Sequence, residues 1–502
     1  MAGVVRGRRG MASLAWRMIH GAFDFEVSMK NAMPGVPVPE FVNLPAGAPT
    51  HVAMAASGGL NISSLPNGVR VVSCDVPGQH VSSLGLFLNA GSRYETPQTS
   101  GATFLLENFA FKGSTERSKV LMQREMEALG AHFGASAHRE VLMYASEGMR
   151  RDTPHMMRIL AEAATKPVFG NCYKGPGYVD QLVAEIKGLA TAVEHNWKII
   201  EKDANALMNE SLHQAAFEGN SFGLPCFPTA EAVQKMSPFV IADYAASIAV
   251  GDRITVSGVN ISHSELEQLA SEYLGALPRS KETIVSTTKY TGGEKRVSLD
   301  GMVACAIGFE GVHYKDEDLI PACVLQTLLG GGGSFSSGGP GKGMYTKLYT
   351  DVLARNDWVV NTVSMNNIYM DSGLFGICAS SEPGTLPQLI ELVATECVNM
   401  AQKLDKTSIE RAKSMTISSL RMNLESRGVM CEDMGRQVLA SGVYESADKL
   451  AGLIKKVTAG DLERVASRML KSKPSVSIAG DLYGTPSYFD IHSYIESKSL
   501  SA

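Results

Sequence analysis

Two spacings of apolar residues alternate along the chain and divide it into elements. Ser64-Leu-Pro-Asn-Gly-Val-Arg-Val-Val-Ser73 reads as a hairpin entry around Asn67-Gly68, a dipeptide suited to the left-handed positions of a tight turn. Val81–Ala90 predicts a strand, and Ser100–Phe111 a helix apolar enough to be buried. A helix over Ser118–Leu129, strands over Ala131–Ala137 and Val141–Glu147, and helices over Thr153–Thr165 and Tyr178–His213 follow. A strand at Arg253–Val259 and a helix at Ser264–Leu277 close the first half. Farther on, strands are predicted at Trp358–Ser364, Leu374–Ala379 and Ser475–Ala479, and helices at Thr385–Lys403, Ser408–Leu424 and Gly460–Leu470. Strands and helices in unequal number predict α+β layers rather than a regular βαβ series.

The pattern starts again after a polar stretch between Pro278 and Lys295. Ser83–Tyr94 sits 220 positions before Val303–Tyr314, and at that constant offset Gly91 meets Gly311, Tyr94 meets Tyr314, Ala102 meets Ala322, Leu105 meets Leu325 and Gly113 meets Gly333. Two homologous α/β-layer domains are therefore expected, over 60–277 and 296–490, with a linker at 278–295 and an irregular extension at the N-terminus.

Between the apolar stretch Leu319–Leu329 and Met344–Leu353, which reads as a helix, lies GGGGSFSSGGPGKG, glycine at eight of fourteen positions. Glycine loses more backbone freedom on ordering than any other residue, so a run this dense resists ordering. Inside a packed domain such a segment is more often a moving lid or binding strip than a passive connector, the alternative being a flexible spacer. A phosphate cradle fails at both ends, because Ser336 and Gly343 stand where the P-loop needs Gly and Ser/Thr. A dinucleotide fingerprint lacks its third glycine.

A 502-residue chain exceeds one core, and 44% hydrophobic with 19% charged residues fits a globular protein. No apolar run is long enough to span a bilayer, and a net charge of −5 argues against nucleic acid. Eight scattered cysteines without a C-x-x-C pair predict buried thiols in a reducing compartment. Residues 1–23 carry Arg6, Arg8, Arg9 and Arg17 and no acid, which predicts a mitochondrial transit peptide within residues 1–45. Those 45 residues hold five Lys/Arg and three Asp/Glu, leaving 41 basic and 48 acidic residues, a formal −7 that attracts cationic partners.

The helix Ala102–Thr115, ATFLLENFAFKGST, resembles the zinc helix of the pitrilysin-type metallopeptidases, whose pattern is His-x-x-Glu-His. The glycine stretch with Met344-Tyr-Thr-Lys-Leu-Tyr349, Tyr369-Met-Asp-Ser-Gly-Leu-Phe-Gly-Ile377 and Leu212–Gly223 resembles the α-type branch of that family, which serves in mitochondrial processing peptidases and as core subunits of respiratory complex III. The resemblance implies zinc positions at Phe104, Glu107 and Asn108, where phenylalanine cannot ligate and an asparagine amide is a poor zinc ligand. Glu107 then has no metal-bound water to act on. The alternatives for it are a helix-surface charge or a buried group paired with Lys112 or Arg93. Glu185, Glu194 and Glu201 lie where a third ligand would arise, and His132, His138 and His195 read as structural histidines.

What the resemblance implies is a subunit with no catalytic residues, no metal and no cofactor of its own, beside a zinc-bearing β-subunit. Presequence peptides would meet Gly330, Gly331, Gly332, Gly333, Ser334, Phe335, Gly338, Gly339, Gly341, Lys342 and Gly343, with Phe335 as an apolar contact and Lys342 as a charge. The expected location is the mitochondrial matrix or the matrix side of the inner membrane, without a direct membrane span and without nucleic acid. A second reading is a structural core subunit of complex III, in contact with cytochrome b. A third, an independently active peptidase, conflicts with Phe104 and Asn108.

Overall fold

Two six-stranded sheets organise the computed structural model, which describes residues 59–500 apart from 77, 169–177, 281–287, 302, 335–343, 401 and 403. The expected transit peptide lies outside the described residues, as do Phe335, Gly338, Gly339, Gly341, Lys342 and Gly343. The first sheet holds β1 (Leu60–Ser64), β2 (Arg70–Cys74), β3 (Val81–Asn89), β4 (His132–Ala137), β5 (Val141–Met149) and β6 (Ile254–Val259), in the order β1-β2-β6-β3-β5-β4. The second holds β7 (Gly293–Ser298), β8 (Val303–Glu310), β9 (Gly331–Gly333), β10 (Val359–Ile368), β11 (Gly373–Ser381) and β12 (Ser475–Gly480), in the order β7-β12-β8-β11-β10-β9. The β2–β6 and β7–β12 pairs are parallel and the others antiparallel. Without β1 and β9 the two sheets have one strand order, so the repeat at an offset of 220 is a repeat of structure.

Each sheet packs its own half's helices on one face. In the first half Leu105, Met157, Leu160, Ile186, Ile241 and Leu266 meet Leu84, Leu86 and Val256 of the strands. In the second, Leu325, Leu389, Ile390, Leu462 and Val465 meet Ile307, Phe375 and Ile478. The opposite faces are covered by exchange. Helix Arg427–Ser441, from the second half, lays Cys431, Met434, Val438 and Leu439 on Val72, Phe87, Val141 and Val259 of the first sheet. A Cβ on its Gly435 would stand 2.2 Å from the Phe87 ring, so glycine permits that approach. Helix Ala204–Ala216, from the first half, lays Leu207, Met208 and Leu212 on Ala304, Ala306, Leu374 and Cys378 of the second sheet. Burial on both faces is why β6 and β12 are buried at every position.

Several sequence expectations are corrected. The helical stretch expected over Tyr178–His213 is divided into two helices, Tyr178–Ile200 and Ala204–Ala216. Asp203 restarts the second, its carboxylate accepting from Asn205 N at 3.0 Å and Ala206 N at 3.2 Å, which is the work of an N-cap. β7 begins at Gly293, inside the expected linker, and the chain continues past 490 in helix Tyr488–Leu500. Of Met344–Leu353, residues 347–353 are helical, ending in a π-type turn over Tyr349–Leu353 closed by Ala354 N donating to Tyr349 O at 2.9 Å.

Beside the apolar contacts of the exchanged helices, a buried ionic cluster lies at the seam between the halves. The buried Arg93 guanidinium donates to Glu140 and, at 2.5 Å, to Asp371 at the tip of the β10–β11 hairpin. Glu140 also accepts from Met370 N at 3.1 Å, and Arg93 lies over the Phe222 ring at 4.9 Å. Beside it Arg139 pairs with Glu210 at 2.9 Å, and His213 Nε2 shares a hydrogen bond with the Tyr369 hydroxyl at 2.7 Å.

Candidate functional site: a degenerate helix and a glycine strand

Helix Ala102–Phe109 starts beyond Gly101, which has φ 93° and faces Pro228 so closely that a Cβ would lie 2.7 Å from it. The buried Glu95 carboxylate accepts from Gly101 N at 2.8 Å and Thr103 N at 2.7 Å, placing negative charge at the positive end of the helix. Ala102, Leu105, Leu106 and Phe109 face the core, and Phe104, Glu107 and Asn108 are half-buried. Phe104 packs against the core, and nearby Phe111 meets Phe133 of β4 at 5.7 Å and Tyr144 of β5 at 6.1 Å, both edge-on. Asn108 Nδ2 donates back to Phe104 O at 2.9 Å.

Glu107 sits in this apolar setting with its pKa pushed up to about 7 by burial, against the pull of one N–H from Ala137. The expected pairings are corrected. The Lys112 ammonium lies over the Phe109 ring at 4.8 Å, and Arg93 is committed to Glu140 and Asp371. Glu185 is half-buried and acts on Lys112, and Glu194 and Glu201 are exposed. His132 and His195 are exposed, and His138 is held down to about 3 by burial, then by the Arg436 charge.

This donor set does not fit zinc. Phe104 has no lone pair, Asn108 is turned to its own helix, and one carboxyl inclined to keep its proton remains. Among the described residues no group of three His, Cys, Asp or Glu side chains could hold a metal ion. Nor is any described helix long and apolar enough to cross a membrane.

The glycine stretch begins as a strand over Gly331–Gly333, while 335–343 of the run expected to resist ordering lie outside the described residues. Gly331, Gly332 and Gly333 pair antiparallel with Val363, Thr362 and Asn361 of β10, and Ser334 N donates to Val360 O at 2.8 Å. The glycines have packing reasons. A Cβ on Gly330 (φ 60°) would lie 2.4 Å from Thr346 Cγ2, and one on Gly331 (φ 115°) 2.2 Å from Thr362 O. Gly331 N donates to Thr346 Oγ1 at 3.2 Å, while Ser364 N and Oγ each donate to Gly330 O at 3.0 Å. Thr346 and Ser364 carry no signal in the sequence, since a hydroxyl beside an apolar run looks ordinary until the fold brings it to a glycine. Separately, a cavity of about 460 Å³ at the seam is lined in part by Glu95, Gln214, Glu218, Asn220, Glu294 and Lys295.

Against known proteins, the insulinase (peptidase family M16) family matches residues 70–230, and the peptidase M16 inactive domain matches 236–416. The mitochondrial-processing peptidase subunit alpha of Bos taurus is 34% identical over 498 residues, 95% of this chain and 91% of that protein. The protein of that name from Solanum tuberosum is 32% identical over 462 residues, 91% of this chain and 88% of that protein. A chain of the complex III2 structure from Candida albicans, with Inz-5 bound, has the same fold at a TM-score of 0.73 and 19% identity, covering 87% of this chain and 100% of that one.

Proposed function

The chain belongs to the insulinase-type M16 peptidase family, and on that premise we propose that it is the non-catalytic, presequence-binding alpha subunit of a mitochondrial processing peptidase. The observation that carries this reading is the likeness to alpha subunits along 95% of the chain. The donor set at Phe104, Glu107 and Asn108 agrees with it, because zinc chemistry then belongs to a beta partner. An Arg-rich presequence is drawn by the negative potential of a body with formal charge −7. The glycine strand ends a sheet, where an extended peptide meets backbone N–H and C=O groups with no side chains to select against it, which suits varied presequences. The subunit acts in the mitochondrial matrix.

The test is a complex reconstituted with a zinc-bearing beta subunit, with a fluorescent presequence peptide as ligand. Deleting Gly330–Gly341 is expected to weaken binding about tenfold or more, a loss of at least ~1.4 kcal/mol. Unchanged affinity overturns the role of the glycine segment, and stoichiometric zinc in the isolated chain overturns its non-catalytic status. The shared fold of the complex III2 chain also admits a place in complex III, which co-purification of haem with the native protein would establish.

A further inference from the structure

The glycine strand is fastened by two hydroxyl side chains, and we infer that Thr346 and Ser364 are positioning residues that fix where the glycine segment leaves the second sheet. The inference rests on the reading of that segment as the presequence-binding element. A strand of three glycines has little to hold it. Ordering each residue costs about 1–2 kcal/mol, more for glycine than for others, and each backbone hydrogen bond returns a net ~0.5–1.5 kcal/mol. The β9–β10 ladder spans three residue pairs, with no side chains on β9 to pack. On those magnitudes the strand is marginal, and what lies beside the ladder decides whether it stays down.

Beside it stand Thr346, 6% exposed, and Ser364, 5% exposed. Ser364 binds the Gly330 carbonyl through its backbone N–H, and its single hydroxyl proton is shared between Gly330 O at 3.0 Å and Gln326 O at 2.9 Å, in the last turn of helix Leu319–Leu329. Thr346 receives the Gly331 N–H and presents its methyl to the Gly330 Cα, where only glycine fits. Thr346 follows the glycine segment in sequence while Gly330 and Gly331 begin it. The Gly331–Thr346 hydrogen bond therefore ties the entrance of the segment to its exit across fifteen positions. A closed base of this kind fixes the two described ends of the segment, Gly331 and Thr346, against each other.

The experiment uses the reconstituted complex with Thr346→Val, Ser364→Ala, their double mutant and Thr346→Ser. The expected result is a rise in KM for presequence peptide of about 3–10-fold in each single variant, and more in the double, with kcat within about twofold of wild type, as befits lost binding rather than lost chemistry. Thr346→Ser keeps the hydroxyl and is expected to restore KM. Amide exchange at Gly331 and Ser334 should quicken in Thr346→Val and Ser364→Ala and not in Thr346→Ser. If deletion of Gly330–Gly341 raises KM but Thr346→Val and Ser364→Ala do not, the positioning role is overturned while the binding reading stands. If the deletion leaves KM unchanged, the binding reading itself falls. A parallel loss of kcat and thermal stability in every variant, Thr346→Ser included, reduces both residues to general packing and also overturns the inference.

Discussion

The two halves share five strands in one order and differ in where the sixth is added. The first half adds β1 outside β2, held by His263, whose ring nitrogens meet Ser73 Oγ at 2.9 Å and Ser63 Oγ at 3.0 Å. The second adds β9 at the other end of its sheet, outside β10, the counterpart of β4. The helices after the counterpart strands differ in the same way. Phe104, Glu107 and Asn108 stand in one, and Val324, Thr327 and Leu328 stand 220 positions later. The five-strand core therefore fixes the scaffold, and the halves diverge at sheet edges and on one helix face. On that helix face Phe104, Glu107 and Asn108 are half-buried, whereas Val324 and Leu328 are buried in the second core.

The largest expected effect breaks the seam on one side only. Arg93 is buried against Glu140 and Asp371, whereas its counterpart His313 is half-buried, its ring Nδ1 accepting from Lys315 N at 3.1 Å. Arg93→Ala leaves two carboxylates at the seam without their cation, and removing one member of a buried ion pair costs about 3–5 kcal/mol. His313→Ala is expected to cost ~1 kcal/mol or less, the ordinary range for a partly exposed group. Urea unfolding of both variants measures the difference. Equal losses would mean that the seam is symmetric and that Arg93 does not lock it.

A smaller effect separates two glycines of one strand. Gly331→Ala forces a Cβ against the Thr362 carbonyl at a φ of 115°, and the strain is expected to cost about 2–3 kcal/mol or to release the strand. At Gly333 the nearest atom to a new Cβ is 4.0 Å away, and Gly333→Ala is expected to change stability by less than ~0.5 kcal/mol. Amide exchange at Ser334 and thermal unfolding check both. Equal tolerance would mean that the glycines serve only the ligand.

These contrasts also mark what the sequence could carry. Residues that pack carried their signal openly. The strands Val81–Ala90 and Leu374–Ala379 are legible as short, largely apolar runs, and the repeat by its unbroken offset. That Phe104, Glu107 and Asn108 stand at zinc positions comes through the family resemblance alone, since ATFLLENFAFKGST has no imidazole to signal them. The exchanged helices were not legible. Arg427–Ser441 mixes Cys431, Met434 and Val438 with Glu432, Asp433 and Arg436, and no local pattern tells it which sheet it will cover. The break at Asp203 was hidden because a single capping aspartate inside a long helical pattern looks like one more polar position. Entropy alone argues against the strand at Gly331–Gly333, and the groups that hold it, Thr346 and Ser364, stand fifteen and more positions away.

The smallest effect sharpens the helix comparison by pH. A Glu107 carboxyl in the unfolded chain loses its proton near 4.5, and in the folded chain near about 7. Between those values the folded form holds more protons than the unfolded one, so stability falls as pH rises through the window and is level above it. Below the window both forms are protonated and no penalty exists. Glu107→Gln removes the ionising group, so the variant should match the wild type near the lower end of the window. At pH 8 it should be more stable by about 1–2 kcal/mol, the partial exposure of the site reducing the full value of the shift. At the counterpart position Thr327 is neutral, its hydroxyl donating to Cys323 O at 3.1 Å and accepting from Thr416 Oγ1 at 3.0 Å. Thr327→Val should therefore shift stability by the same amount at every pH. Urea midpoints for the three proteins across the window decide it, and a Glu107→Gln difference that does not grow with pH would mean that the carboxyl is ionised in the fold.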